Sequence, residues 1–213
     1  MTDRKTATEL LQGAYDIKTP EDNVEYYSDF AAIYDEQFAG AMGYIYPRAV
    51  AERYEAHNSG QDLPVADIGC GTGLVAEALG LPAPQLEGFD ISPEMLAVSQ
   101  GKGLYAALHE VDLTRPLGME PRFGALISAG TFTHGHLGPE PLVNVLSLAR
   151  PGALAVIGIN AEHFAAQGFG PVLELLEAEG RIRDVRRETA AYYEGNDTDH
   201  AGDEAQILIF RVN

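Results

Sequence analysis

The chain has 213 residues, 46% hydrophobic and 22% charged, enough apolar material for one sizeable core and too much for a disordered protein. Its 32 acidic and 14 basic residues leave a formal net charge of -18, which disfavours nucleic acid and anionic membrane as partners and reads first as a solubilising surface. No apolar run approaches the roughly 20 residues of a spanning helix, no secretion signal opens the sequence, and the single cysteine, Cys70, excludes an intrachain disulfide, so a cytoplasmic protein is expected.

Residues 22 to 39 place Val24, Tyr27, Ala31, Tyr34 and Phe38 at steps of three and four, which predicts a helix with one apolar face, interrupted by Gly40 and Gly43. Pro47 suits the first turn of a second helix that turns Val50 and Tyr54 inward and stops at Asn58-Ser59-Gly60. From residue 64 short apolar strands alternate with helical stretches, the pattern of parallel βαβ units. The predicted strands are Val65 to Ile68, Leu86 to Asp90, Ala106 to Val111, Ala125 to Ala129 and Ala153 to Ile159. One intervening helix begins in the turn from Gly71 to Leu74 and stops at Gly80; another takes Ser92 as N-cap and Pro93 at its first position. A third starts at Pro139 or Pro141 and buries Leu142, Val145, Leu146 and Ala149, and a fourth runs from Pro171 to Glu179. Two further strands, Ile182 to Tyr193 and Ile207 to Val212, have no helix between them and should pair antiparallel.

The chemistry gathers at strand ends. After the first strand, Gly69, Gly71 and Gly73 remove side chains that would keep a ligand from the backbone, and the next helix brings its N–H groups. The loop is ambiguous in type, because Gly71-x-Gly73-x-x-Ala76 also fits the dinucleotide pattern. Asp67 weighs against that: a charge ending a buried strand needs a polar or cationic partner, and it would repel a pyrophosphate. Asp90 ends the second strand about 20 residues after the loop, where a carboxylate can accept both ribose hydroxyls. Asp112 ends the third strand, where it can take the amino group of an adenine or simply cap a turn. Open α/β sheets bind ligands at this carboxyl edge.

The run Asp67-Ile68-Gly69-Cys70-Gly71-Thr72-Gly73 resembles the D-x-G-C-G-T-G motif of class I methyltransferases that use S-adenosylmethionine (SAM), and Asp90-Ile91-Ser92-Pro93-Glu94-Met95-Leu96 resembles their D-x-S-x-x-M-L segment. Arg150-Pro151-Gly152-Ala153 is similar to their L-x-P-G-G turn, with Ala153 in place of the second glycine. The likeness covers roughly residues 62 to 160. A narrower one follows the fourth strand: Ser128 to Pro139, with Tyr34-Asp35 near the N-terminus, resembles the methyltransferase-like proteins of the Williams-Beuren syndrome region. The resemblance implies one α/β domain over 1–213, with a helical cap over 1–60 and a SAM-binding core over 61–213. The implied fold is a seven-stranded Rossmann-like methyltransferase sheet, parallel except for a C-terminal antiparallel hairpin.

On that reading Asp67, Gly69, Cys70, Gly71 and Gly73 hold the methionyl part of SAM and Asp90 the ribose. Ile91, Met95, Asp112 and Leu113 surround the adenine, and Ser128 and Ala129 face the sulfonium. Tyr34 is the first choice among the cap tyrosines for a contact through its aromatic face, although core packing is the commoner role of such residues. His134 and His136 are the candidates for a catalytic base, with His163 behind them, and plain loop hydrogen bonding is the competing role. A metal reading of His134-x-His136 lacks completing ligands. The expected partner is a small-molecule methyl acceptor, with the protein a monomer or a homodimer. Two other functions remain open at this point: a nicotinamide-dependent oxidoreductase using Gly71, Gly73 and Ala76, and a SAM-binding adaptor without turnover.

Overall fold

The computed structural model describes residues 31–40, 43–133, 137–194 and 203–213, together with Asp22, Val24 and Tyr26. Seven strands form one sheet: β1 (Val65–Ile68), β2 (Leu86–Asp90), β3 (Ala107–Glu110), β4 (Phe123–Phe132), β5 (Ala149–Asn160), β6 (Ile182–Ala191) and β7 (Glu204–Val212). Their spatial order is β3-β2-β1-β4-β5-β7-β6, with every pairing up to β4–β5 parallel and β5–β7 and β7–β6 antiparallel. The expected architecture is therefore the observed one. From β1 the chain builds outward through β2 and β3, then returns to place β4 on the other side of β1, so the carboxyl ends of β1 and β4 flank the switch-point crevice.

The helices are α1 (Tyr46–His57), α2 (Leu74–Leu79), α3 (Pro93–Lys102), α4 (Glu140–Leu146), α5 (Ala161–Ala166) and α6 (Phe169–Ala178). Side chains alternate across the sheet, so two cores form. Val65, Ile127, Val156 and Ile209 face α1 and α2 with Val50, Tyr54 and Val75, while Ile68, Phe89, Leu126 and Ile157 face α4 and α6 with Leu142, Val145 and Leu173. The turn before β1 is pinned by charge: Asp62 accepts from Ser59 N–H at 2.8 Å and pairs with Arg211 of β7, which also donates to the His57 carbonyl at 3.1 Å. Burial alone would raise the Asp62 pKa, but Arg211 and Ser59 overcome that and hold it below the usual value.

Several boundaries differ from the sequence expectation. β5 begins at Ala149, so α4 ends earlier than expected and Ala149 is a strand residue. β4 is twice the expected length because it continues through an irregularity: its pairing with β5 jumps from Ser128↔Ile157 to Phe132↔Ile159. Two more residues are spent on β4 than on β5, which bulges the strand around Gly130. α5 was not expected; Asn160 starts it by accepting from His163 N–H at 3.0 Å. In the N-terminal stretch one continuous helical face is replaced by a 3-10 turn (Ala31–Ile33) leading into a π-helix (Tyr34–Gly40), so steps of three and four no longer define one side. Ala31 is buried and Val24 and Tyr34 half-buried; Tyr27 lies outside the described residues.

Candidate active site

The glycine loop fills the turn between β1 and α2. Its backbone needs glycine at position 69, where φ is +65° and a Cβ would lie 1.9 Å from Thr131 Oγ1. At Gly71, φ is +51° and a Cβ would meet nothing within 4 Å, so this point of the loop faces open space. The turn is held from inside. Gly69 and Cys70 N–H both donate to the Phe89 carbonyl, at 2.7 and 3.0 Å, Gly73 N–H donates to the Cys70 carbonyl at 2.8 Å, and Gly71 N–H donates to Asp90 Oδ2 at 2.8 Å. Four N–H groups of the loop itself are thus spent on the protein. Two carboxylates, Asp67 and Asp90, lie nearby and would repel a pyrophosphate, which weighs against the dinucleotide alternative.

Asp67 is fully buried at the end of β1. Tyr105 donates its hydroxyl to Oδ2 at 2.7 Å, and Oδ1 has no hydrogen-bond partner. Burial raises its pKa from 3.8 to about 7, against the lowering effect of Tyr105 and with the help of Asp90. Glu87, the other buried acid of this sheet, lies three residues before the end of β2. Burial would raise it too, but hydrogen bonds from Arg122 and from His109 at 2.7 Å bring it below its usual value. Of these two buried acids, Asp67 is the one that lacks a cation.

Asp90 accepts from Ser92 N–H at 2.9 Å through Oδ1 and from Gly71 N–H through Oδ2, which fixes its plane while leaving lone pairs on both oxygens. Burial raises its pKa in spite of these donors. Ser92 caps α3 as expected, accepting from Met95 N–H at 3.2 Å. Met95 and Leu113 are buried and Ile91 is partly exposed. Asp112 is engaged in its own turn, taking Thr114 N–H at 2.9 Å and the Thr114 hydroxyl at 2.6 Å and pairing with Arg115 at 3.0 Å. On the other wall, Ser128 and Thr131 both donate to the Ile68 carbonyl, at 2.8 and 2.9 Å, so the Ser128 hydroxyl ties β4 to β1 and Ala129 follows it, partly exposed. Cys70 is buried and its thiol is pushed well above its usual pKa by burial, which makes it inert packing.

His134 and His136 lie outside the described residues. His163 is buried and donates Nε2–H to the Leu137 carbonyl at 2.8 Å, so it anchors the chain returning from that segment. Three contributors were missed from the sequence. Tyr105, 38 residues from Asp67, and Ser99, which donates to the Gly71 carbonyl at 2.6 Å, carry no motif that marks them. The third is Asp35: Thr72 donates its hydroxyl to Asp35 Oδ1 at 2.6 Å, and Lys102 Nζ lies 2.6 Å from Oδ2 and 3.0 Å from Glu77. Asp35 thus fastens the N-terminal stretch to the glycine loop, and its neighbour Tyr34 packs half-buried on the first core.

Residues 65–152 match the family model described as Methyltransferase domain. The chain carries a methyltransferase domain there. The match takes in β1 to the start of β5. Solved structures similar to the chain include a TehB-like SAM-dependent methyltransferase from Corynebacterium glutamicum, at 20% identity over 92% of this chain and 100% of that one, with a TM-score of 0.58. A SAM-dependent methyltransferase from Clostridium acetobutylicum matches at 16% identity over 86% and 98%, TM-score 0.58. The CcbJ methyltransferase of Streptomyces caelestis matches at 17% over 85% and 95%, TM-score 0.57. At these identities the likeness is one of fold. No curated protein matches the chain. No helix among the described residues is long and apolar enough to cross a membrane.

Proposed function

We propose that this methyltransferase moves the methyl group of SAM onto a small-molecule acceptor by in-line displacement, in one domain whose residues 1–60 cap the cofactor edge. The reading rests on one observation above the rest: a fully buried carboxylate, Asp67, with an oxygen left without a donor at the switch point of the sheet. SAM carries an ammonium that such an oxygen would receive and a methyl on a cationic sulfur, whose displacement depends on alignment and exclusion of water more than on a strong base. Asp90 would accept the ribose hydroxyls with the lone pairs left after Gly71 and Ser92. Ile91, Met95 and Leu113 would line the adenine, and Asp112 would offer it an oxygen if its turn yields. Gly69, Cys70, Gly71 and Gly73 set the backbone path, and Ala129, beyond Ser128, borders the sulfonium side. Tyr34 closes the cap face.

His134 and His136 take a proton where the acceptor has one to lose, and the strongly acidic surface keeps nucleic acid and anionic membrane away. The segment 128–139 keeps its likeness to the Williams-Beuren-region proteins as support for an acceptor-facing role. The test is calorimetric titration with SAM and S-adenosylhomocysteine, with NADH as control. Micromolar binding of both adenosyl ligands and none of NADH is expected. No heat and no thermal shift at millimolar SAM would overturn the proposal, and a release assay for S-adenosylhomocysteine over small acceptors then separates an enzyme from an adaptor.

A further inference from the structure

The tyrosines of the cap meet those of the C-terminal hairpin in one group. Residues 43–45 run antiparallel to 192–194: Ile45 N–H donates to the Tyr192 carbonyl at 2.9 Å, Glu194 N–H donates to the Gly43 carbonyl at 2.8 Å, and Tyr44 bridges Tyr193. This stitching brings the Tyr44 ring to 5.7 Å from Tyr193 and 6.2 Å from both Tyr46 and Tyr192, with Tyr46 and Tyr192 4.4 Å apart. Tyr46, Tyr192 and Tyr193 are buried, whereas Tyr44 keeps some exposed surface. Its hydroxyl lies 3.3 Å from where a Cβ on Gly130 would sit. Gly130 belongs to the bulge of β4, between Ala129 and the Thr131 that binds the end of β1. Tyr44 therefore stands on the wall of the switch-point crevice, across β4 from the glycine loop.

The chemistry of this wall is aromatic and uncharged, and its surroundings are acidic. Burial holds the Tyr44 and Tyr46 phenols well above their usual pKa, so both stay protonated. Asp67 and Asp90 stand at the carboxyl ends of β1 and β2, and Lys102, at the loop, is committed to Asp35 and Glu77. Among the described residues the charged groups at the ends of β1 and β2, Asp67 and Asp90, are acids that would repel an anionic acceptor, whereas a cation would be drawn to the aromatic face and the acidic field.

We propose that Tyr44, backed by Tyr46, Tyr192 and Tyr193, forms the acceptor wall of the methyltransferase and selects small amines over carboxylates and phosphates. The inference rests on the SAM-dependent reading above. A neutral amine forms the new N–C bond with its lone pair as the S–C bond breaks; the sulfonium becomes a thioether, the amine becomes an ammonium, and one positive charge is conserved. The same wall thus suits the charge before and after transfer.

Binding tests this apart from turnover. Benzyltrimethylammonium, which has the shape and charge of a methylated product, is titrated into the protein saturated with S-adenosylhomocysteine, beside benzoate and benzyl phosphate. The cation is expected to bind and the two anions not to. Tyr44→Phe, which keeps the ring, should bind it within about twofold of the wild type, and Tyr44→Leu about tenfold more weakly. Both variants should keep S-adenosylhomocysteine affinity, which also reports that they fold. Cation binding that is absent at millimolar concentration, weaker than that of benzoate, or unchanged in Tyr44→Leu overturns the proposal while leaving the SAM reading intact. Failure to bind S-adenosylhomocysteine at all would instead overturn that earlier reading.

Discussion

Replacing Asp67 by asparagine should make the protein more stable at high pH and worse at binding its cofactor. In the folded chain burial raises the Asp67 pKa from 3.8 to about 7. Between those values the native state holds a proton that the unfolded state has lost, so stability falls as pH rises, by 1.36 kcal/mol per unit, and levels off above the folded pKa. The full effect is roughly 4 kcal/mol, of which about 3 kcal/mol falls between about pH 5 and pH 8. Asparagine keeps an oxygen for the Tyr105 hydroxyl and carries no charge, so it removes this slope. Urea unfolding of both proteins at the two pH values measures it: the variant's advantage should grow by about 3 kcal/mol from the lower pH to the higher, less any loss from burying an amide donor. SAM affinity should meanwhile fall by about 10- to 100-fold, the worth of a hydrogen bond to a charged group, and wild-type affinity should rise with pH as the carboxylate ionises. A stability difference that does not change with pH, or a SAM affinity preserved in the variant, would refute the reasoning.

Asp90→Ala removes the acceptor of both Gly71 and Ser92 N–H; SAM affinity by calorimetry should fall about 10- to 100-fold, and hydrogen exchange at residues 69–73 should speed up. Asp35→Asn weakens the tie to Lys102, whose partner is about a third exposed, so the expectation is modest: SAM binding about threefold weaker, with earlier proteolysis in residues 31–40 and little change in thermal midpoint. Gly158→Ala places a Cβ 1.9 Å from the Tyr46 hydroxyl and 2.6 Å from its ring, so the urea midpoint should drop by the equivalent of about 1–3 kcal/mol with an unchanged m-value. If either histidine acts as base, His134→Ala or His136→Ala should lower S-adenosylhomocysteine release by about 100-fold or more at saturating acceptor without changing SAM affinity.

The family signal, the sheet and the aspartates at the ends of β1 and β2 could all be read from local pattern, because strand alternation, glycine turns and N-caps are set by residues a few positions apart. How the loop is held could not be read: Gly69, Cys70 and Gly71 spend their N–H groups on Phe89 and Asp90. No spacing rule reveals that, because Phe89 and Asp90 reach the loop only through the parallel pairing of β1 with β2. The N-terminal stretch misled for a related reason. Its apolar spacing assumed a uniform helical period, and the tighter turn of Ala31–Ile33 followed by the wider turns of Tyr34–Gly40 breaks that period.

What the sequence determined by itself is the order of strands and helices, α5 apart, and which acids stand at the carboxyl edge of the sheet. Which acid waits for a cation was decided by tertiary structure. Glu87 and Asp67 are both carboxylates on buried strands, and only the fold brings Arg122 and His109 to the first while leaving the second with a lone phenol. Charge in a low-dielectric interior is settled by whichever partners arrive, and those partners lie 35, 22 and 38 residues away along the chain.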